Sequence, residues 1–402
     1  MGHDDVVIWL NGGPGCSSLD GLFEENGPVT LRGGKNVTVE KNKYSWTNLS
    51  YMVYVDNPVG AGLSTGNPDI RGERDLAREF YGFLKQFFVT FKELRGKRLW
   101  LTGESYAGMY IPYIAHEIYR HPYNASGINL QGIAINDPLF TTMFLGEQAP
   151  AFEYFEQYHK VMGLNSSSVE RVRGLAKKLG VETYVRDNLH YPPKGPIHVP
   201  SSWNASESVW DSINSIATKT NSCFSVYDIK PNCGSKQDPL GMPLNSQKAL
   251  KRNFINDTPG LKRAIHVDES KAWTECTDDN VFQGAARHDD SSPPPDRSVL
   301  PGVIEKSRRT VIQHGTYDYV LIANGTALAI QNMTWHGQMG FQHKPDVPFK
   351  VDGKVRGMMR EERGLSFFLV DGSGHMVPQF KPKTAYKLQQ YLLGQVTRDD
   401  LD

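Results

Sequence analysis

Leu99-Trp100-Leu101-Thr102-Gly103-Glu104-Ser105-Tyr106-Ala107-Gly108 is the stretch on which the reading of this chain turns. An apolar run ends in a tight turn carrying a serine, and a helix-like segment follows at once, over residues 109–120. A strand that reverses sharply into a helix lifts its turn residue clear of the sheet. The residues beside it must be small, because the turn is strained and closely packed. Here they are Gly103, Ala107 and Gly108. The pattern G-x-S-x-G has a glycine where this chain has Ala107, so the match is by mechanism rather than by letter. A Gly-Ser turn before a helix is also common for purely structural reasons, so the rest of the chain must supply chemical partners.

Working outward, 6–10 is a short, apolar, β-branched run that reads as a buried strand. It breaks into Asn11-Gly12-Gly13-Pro14-Gly15-Cys16-Ser17-Ser18, a loop able to aim backbone N–H groups at an anion. Residues 51–55 read as a second strand. Residues 75–94 read as an amphipathic helix, with Leu76, Phe80, Phe83, Leu84 and Phe87 at spacings of three and four. Residues 128–135 read as a further strand, ending at Asn136-Asp137-Pro138. Strands alternating with helices predict a mostly parallel α/β sheet. From 141 to 300 the pattern changes to segments of helical or irregular character, with helices expected over 148–162, 168–180, 206–218 and 246–265. The α/β pattern resumes with strands at 310–313 and 365–370, and a closing helix over 383–393 stops at Gly394. The expected organisation is a first part of the core in 1–140, a helical cap insertion in 141–300 and a second part of the core in 301–402.

Acidic and basic residues balance at 44 each, so no net field favours nucleic acid or an anionic membrane. No apolar run approaches the roughly 20 residues of a membrane span. Four cysteines, Cys16, Cys223, Cys233 and Cys276, form no C-x-x-C pair. N-x-[S/T] sequons at Asn36, Asn48, Asn124, Asn165, Asn204, Asn256, Asn324 and Asn332 are dense enough to predict a secreted or vacuolar glycoprotein. The chain opens Met1-Gly2-His3-Asp4-Asp5 and enters an apolar strand at once, without a signal-peptide pattern. That start reads as a truncation of a longer precursor.

A serine is a poor nucleophile at its free pKa and needs a base within hydrogen-bond reach. His375 stands out among twelve histidines, because Asp371-Gly372-Ser373-Gly374-His375 is a Gly-rich loop directly after the last apolar strand. Loops at the carboxyl ends of parallel strands are where such sheets keep their chemistry. His314 also follows a strand and is the runner-up. An orienting acid from the end of the preceding strand is Asp318, and the order Ser105, Asp318, His375 is that of an α/β-hydrolase. His116 and His121 flank Glu117 in a segment that looks like a zinc-protease helix. Their spacing of five places them about 140° apart around a helix rather than on one face. No metal and no cofactor is expected.

Trp9-Leu10-Asn11-Gly12-Gly13-Pro14-Gly15-Cys16-Ser17-Ser18, Gly103-Glu104-Ser105-Tyr106-Ala107-Gly108 and Gly374-His375-Met376-Val377-Pro378 together resemble the serine carboxypeptidase family, in texture closest to its fungal secreted members. The resemblance spans nearly the whole chain. It implies an α/β-hydrolase fold with a helical cap, and release of C-terminal residues from peptides at acidic pH. By motif it implies Ser105 as nucleophile, His375 as base, Asp318 as its orienter, and the N–H groups of Gly13 and Tyr106 as oxyanion donors. It implies that Asn11, Gly12, Glu25 and Glu104 hold the substrate's terminal carboxylate, which two acids can do only by keeping protons and donating hydrogen bonds. Asp20, Glu24 and Met376 match positions that border the pocket for the last substrate residue. Disulfides Cys16–Cys276 and Cys223–Cys233 are implied in the same way.

The sequence also departs from the family. The strands that precede Trp9-Leu10-Asn11 in the family have no counterpart here and are expected to be missing from the fold. After Asp318 many members carry a cysteine-bearing stretch, where this chain has Tyr319-Val320-Leu321-Ile322-Ala323-Asn324. Two other readings stay open: an esterase or acyltransferase on the same fold, and an inactive binding fragment.

Overall fold

The structure is a computed structural model that describes residues 3–33, 37–232, 239–241, 253–283 and 290–402 of the chain. Twelve strands are present among these residues: β1 Asp5–Leu10, β2 Val29–Arg32, β3 Thr38–Lys41, β4 Tyr51–Tyr54, β5 Arg98–Glu104, β6 Asn129–Asn136, β7 Arg309–Gly315, β8 Thr334–Trp335, β9 Gln338–Met339, β10 Val347–Val351, β11 Lys354–Glu362 and β12 Leu365–Val370. Eight form the central sheet in the order β10-β11-β12-β7-β6-β5-β1-β4. The run from β12 to β4 is parallel throughout, and β10 and β11 extend it antiparallel. β2 with β3 and β8 with β9 are small hairpins.

Strand alternation sorts side chains to two faces. Val6, Ile8 and Leu10 of β1, with Leu99 and Leu101 of β5, join one apolar cluster. It is covered by Leu76, Phe80, Leu84 and Phe88 of α1 (Glu73–Thr90) and by Ile111, Ile114 and Ile118 of α2 (Ala107–Tyr119). Val7 and Trp9 of β1 and Trp100 of β5 point the other way, towards the apolar stripe of the closing helix Pro382–Leu393, where Ala385, Leu388 and Leu392 are buried. Both faces are covered, which explains why the central strands read as unbroken apolar runs.

Between β6 and β7 lie the helices Ala149–Tyr158, Ser166–Lys178 and Val209–Thr220, close to three of the expected segments. They enclose a separate apolar cluster that includes Phe152, Val172, Ile213 and Ala217. That cluster also takes in Tyr319, Ile322 and Leu328, from the segment after β7. The single helix expected over 246–265 is, in its described part, two short turns, Phe254–Asp257 and Leu261–Ala264. Thr258-Pro259-Gly260 separates them, because proline disfavours a helical residue before it and Gly260 adopts a left-handed φ of 76°.

Candidate active site

The turn after β5 has the conformation its small residues allow. Ser105 sits at φ 60°, a left-handed value uncommon for a side-chain-bearing residue. Three hydrogen bonds hold it there: Ser105 N donates to Asn136 O at 3.0 Å, and Ser105 O accepts from Gly108 N and Leu139 N, both at 2.9 Å. The neighbours have no room for side chains. A Cβ on Gly103 would lie 2.2 Å from Leu10 O, and one on Gly108 would lie 2.5 Å from Leu139 O.

The Gly-rich loop after β1 packs directly on this turn. A Cβ on Gly12 would lie 2.4 Å from Tyr106 N and 2.9 Å from the Ser105 Cβ. Gly12 therefore packs directly against the backbone N–H of Tyr106, beside Ser105. The loop is stitched from several sides. Asp56 Oδ1 accepts from Ser17 Oγ at 2.7 Å and Ser18 N at 2.8 Å, and its Oδ2 accepts from Leu63 N at 2.7 Å. Trp273 Nε1 donates to Ser17 Oγ at 3.0 Å. A Cys16–Cys276 disulfide, flanked by Ser17 N donating to Glu275 O at 2.6 Å, ties the loop to the stretch between β6 and β7. Cys233 lies outside the described residues, and the Cys223–Cys233 pairing with it.

Two other loops meet Ser105 from the carboxyl ends of β7 and β12. His375 Nδ1 lies 2.8 Å from Asp318 Oδ2, and both side chains are buried. Asp318 Oδ1 accepts from Val320 N at 2.7 Å and Leu321 N at 3.2 Å. Burial pushes the Asp318 carboxyl up, but the charge of His375 and hydrogen bonds from His314 and His375 outweigh it and hold the acid below its ordinary value. Ser105 and His375 line one cavity of about 230 Å³. Their side chains share no hydrogen bond among the described residues; such bonds commonly tighten only around substrate. His314, the other candidate base, is fully buried, and its Nε2 lies 2.8 Å from Leu321 O. A carbonyl only accepts, so that nitrogen carries hydrogen and is no base.

A carboxyl cluster borders the cavity, with Asn11, Asp20 and Glu104 in its lining. Asn11 Oδ1 accepts from Trp9 Nε1 at 2.7 Å and Gly21 N at 3.1 Å, which turns its amide nitrogen towards acids. Asn11 Nδ2 donates to Glu104 Oε1 at 3.1 Å and lies 3.4 Å from Glu25 Oε1. Oxygens of Asp20, Glu25 and Glu104 lie within 4.8 Å of one another. Burial first, then the charge of Glu104 and a hydrogen bond to it, push Glu25 well above the carboxylate range, against a small pull from Asn11. Burial and the charge of Asp20 also raise Glu104, while the hydrogen bond from Glu25 lowers it. Burial thus favours the protonated form of both carboxyls. Asp20, Glu24 and Met376 line the same cavity, and Glu24 Oε2 accepts from Gln379 Nε2 at 3.0 Å.

A model of the serine carboxypeptidase family matches residues 2–395. The chain belongs to the serine carboxypeptidase family. It is 38% identical over 422 aligned residues to a probable serine carboxypeptidase of Arthroderma benhamiae, covering 99% of this chain and 78% of that one. It is 34% identical to a serine-type carboxypeptidase F of Aspergillus niger, covering 99% and 79%. The solved structure of Kex1(delta)p, a prohormone-processing carboxypeptidase from Saccharomyces cerevisiae, superposes with a TM-score of 0.70 over 98% of this chain and 83% of that chain, at 22% identity. The shared architecture is the α/β-hydrolase fold.

Other residues of this serine carboxypeptidase complete the site without having been legible as such. Asp56 anchors the Gly-rich loop, yet in sequence it is one acid after a strand. Tyr227 packs its ring edge-on to His375 at 5.6 Å, and its carbonyl accepts from His375 N at 2.7 Å. It comes from an irregular stretch with no periodic signal. Asp137 abuts Asp318 across two neighbouring strands. Only its place after a strand, in Asn136-Asp137-Pro138, hinted that it faces the same edge of the sheet.

Proposed function

We propose that this serine carboxypeptidase releases C-terminal residues through an acyl-enzyme on Ser105 and does so best at acidic pH. His375 takes the Ser105 proton at Nε2 while Asp318 holds its Nδ1–H. Ser105 Oγ attacks the last peptide carbonyl, and the N–H groups of Gly13 and Tyr106 receive the oxyanion. His375 returns the proton to the leaving amine, and water repeats the sequence to free the acyl chain. The observation that carries the reading is the Asn11–Glu25–Glu104 cluster beside Ser105. Glu25 Oε2 and Glu104 Oε2 are buried acceptors without a donor among the described residues, an arrangement that calls for protons. Protonated, the pair donates to a substrate carboxylate. Ionised, it repels one. Met376 offers the last substrate residue an apolar wall, and Asp20 with Glu24 offers a cation a negative one.

The test compares a peptide with its C-terminal amide. As pH rises, Glu25 loses its proton, so KM for the free acid climbs while KM for the amide changes less. Parallel KM profiles sink the carboxylate-clamp reading and favour an esterase or acyltransferase. Ser105→Ala serves as the inactive control.

The division at 141 and 300 into core and cap belongs to the same proposal. So does secretion with N-glycans. Asn48, Asn124, Asn165, Asn204 and Asn256 are exposed, and Asn324 and Asn332 are half-buried. Asn36 lies outside the described residues. Among the described residues, no helix is long and apolar enough to cross a membrane.

A further inference from the structure

We propose that Asp137 is a positioning residue for this reaction: its carboxyl keeps a proton and donates it in a hydrogen bond to Asp318, fixing the acid that orients His375. The proposal rests on the roles given above to Ser105, Asp318 and His375.

Asp137 directly follows β6, whose neighbour in the sheet is β7, and its backbone N–H donates to Gln313 O at 2.8 Å. Its φ of 43° is a left-handed value that aspartate tolerates better than most residues. The residue is fully buried. One oxygen, Oδ1, accepts from Gly315 N at 2.7 Å. The other, Oδ2, is buried with no hydrogen-bond partner among the described residues. Oxygens of Asp137 and Asp318 and a ring nitrogen of His375 lie within 4.8 Å of one another.

Two carboxyls buried this close do not both ionise. Their partners decide which one keeps the proton. Asp318 has two backbone N–H groups and His375 Nδ1 at 2.8 Å, and His314 Nε2, bonded to Leu321 O, stands 3.4 Å away. Asp137 has one backbone N–H and, at 3.6 Å, His314 Nε2. The charge therefore rests on Asp318 and the proton on Asp137. The titratable groups facing Asp137 are Asp318 and His314 from β7 and its following loop, His375 from the loop after β12, Glu104 at the end of β5, and Glu25. Burial and the Asp318 charge act in the same direction, raising Asp137 well above its ordinary range against the pull of Gly315 N–H. An ionised Asp137 would remove a donor from Asp318 and set a second negative charge beside His375, favouring the protonated ring that cannot act as base.

The experiment measures kcat and KM against pH for Asp137→Asn, Asp137→Ala and Asp318→Asn, on a C-terminal amide substrate that bypasses the Glu25–Glu104 pair. An asparagine keeps the acceptor for Gly315 and a donor for Asp318, and it cannot ionise. Asp137→Asn should hold kcat within about threefold at acidic pH and carry the alkaline fall of kcat to higher pH. Asp137→Ala should lose about tenfold or more in kcat with KM little changed, as expected when a hydrogen bond to a charged group is removed. A tenfold loss in Asp137→Asn at acidic pH, an unmoved alkaline limb, or a fully active Asp137→Ala overturns the proposal. Should Asp137→Ala not fold, Asp137→Asn alone decides. Asp318→Asn reports separately on the underlying roles: if it stays active, those roles are wrong whatever the Asp137 variants show.

Discussion

Gly12 has little freedom beside Ser105, because the Cβ it lacks would sit 2.4 Å from Tyr106 N. Gly12→Ala must push the Gly-rich loop off the turn, and the amides of Gly13 and Tyr106 then diverge. Turnover should fall by about 10² or more, the usual cost of an oxyanion donor, as kcat on a good peptide reports. Unchanged kcat would separate the loop from the reaction. At this scale, legibility followed local constraint. Gly12, Gly13 and Ser105 stand in compact patterns whose small residues announce a close approach. Glu25 is a single acid with no pattern around it, and it was reachable only through resemblance to a family. Asp137 was legible only as an acid after a strand, because its meaning depends on which strand lies beside β6.

At the scale of elements, the loop of residues 11–18 is held by its own bonds, Cys16 N to Gly12 O and Asn11 N to Ser18 Oγ, both at 3.1 Å, and by side chains brought from elsewhere. Asp56 is the pivot, with three donors on one carboxylate. Asp56→Ala should leave Ser17, Ser18 and Leu63 with unmet donors and destabilise the fold by about 3 kcal/mol, from roughly 1–3 kcal/mol per buried group. Thermal unfolding measures the cost, and kcat should fall while the variant remains folded at low temperature. A variant as stable and active as the parent would make Asp56 incidental. The strands of the parallel sheet were readable because both faces are buried and their sequences stay apolar. The antiparallel strands β10 and β11 were not. Val347-Pro348-Phe349-Lys350-Val351 and the charged stretch over 354–362 face solvent on one side, so no apolar run marks them. The helix expected over 246–265 failed for a local reason, the Pro259-Gly260 pair.

Across the whole molecule, buried carboxyls set the response to pH. Burial, then the charges of Asp211 and Asp318, push Glu147 up to about 8 from an ordinary 4.5. Burial likewise takes Asp296 to about 6 from 3.8. Glu25, Glu104 and Asp137 move the same way. A group whose folded pKa is raised adds stability that is full below its unfolded pKa and is lost as pH rises through the folded one. Asp318 has the opposite sign, and its contribution is lost as pH falls through its lowered value. The melting temperature should therefore decline as pH climbs from 4.5 through about 8. Calorimetry across that window checks it, and a rising melting temperature would contradict the sign. The Cys16–Cys276 bond has a consequence in time. The two cysteines stand 260 positions apart, so during synthesis the loop beside Ser105 leaves the ribosome long before the residue that fastens it. Asp318 and His375 emerge later still. A growing chain thus presents Ser105 well before the residues proposed to act with it have been made.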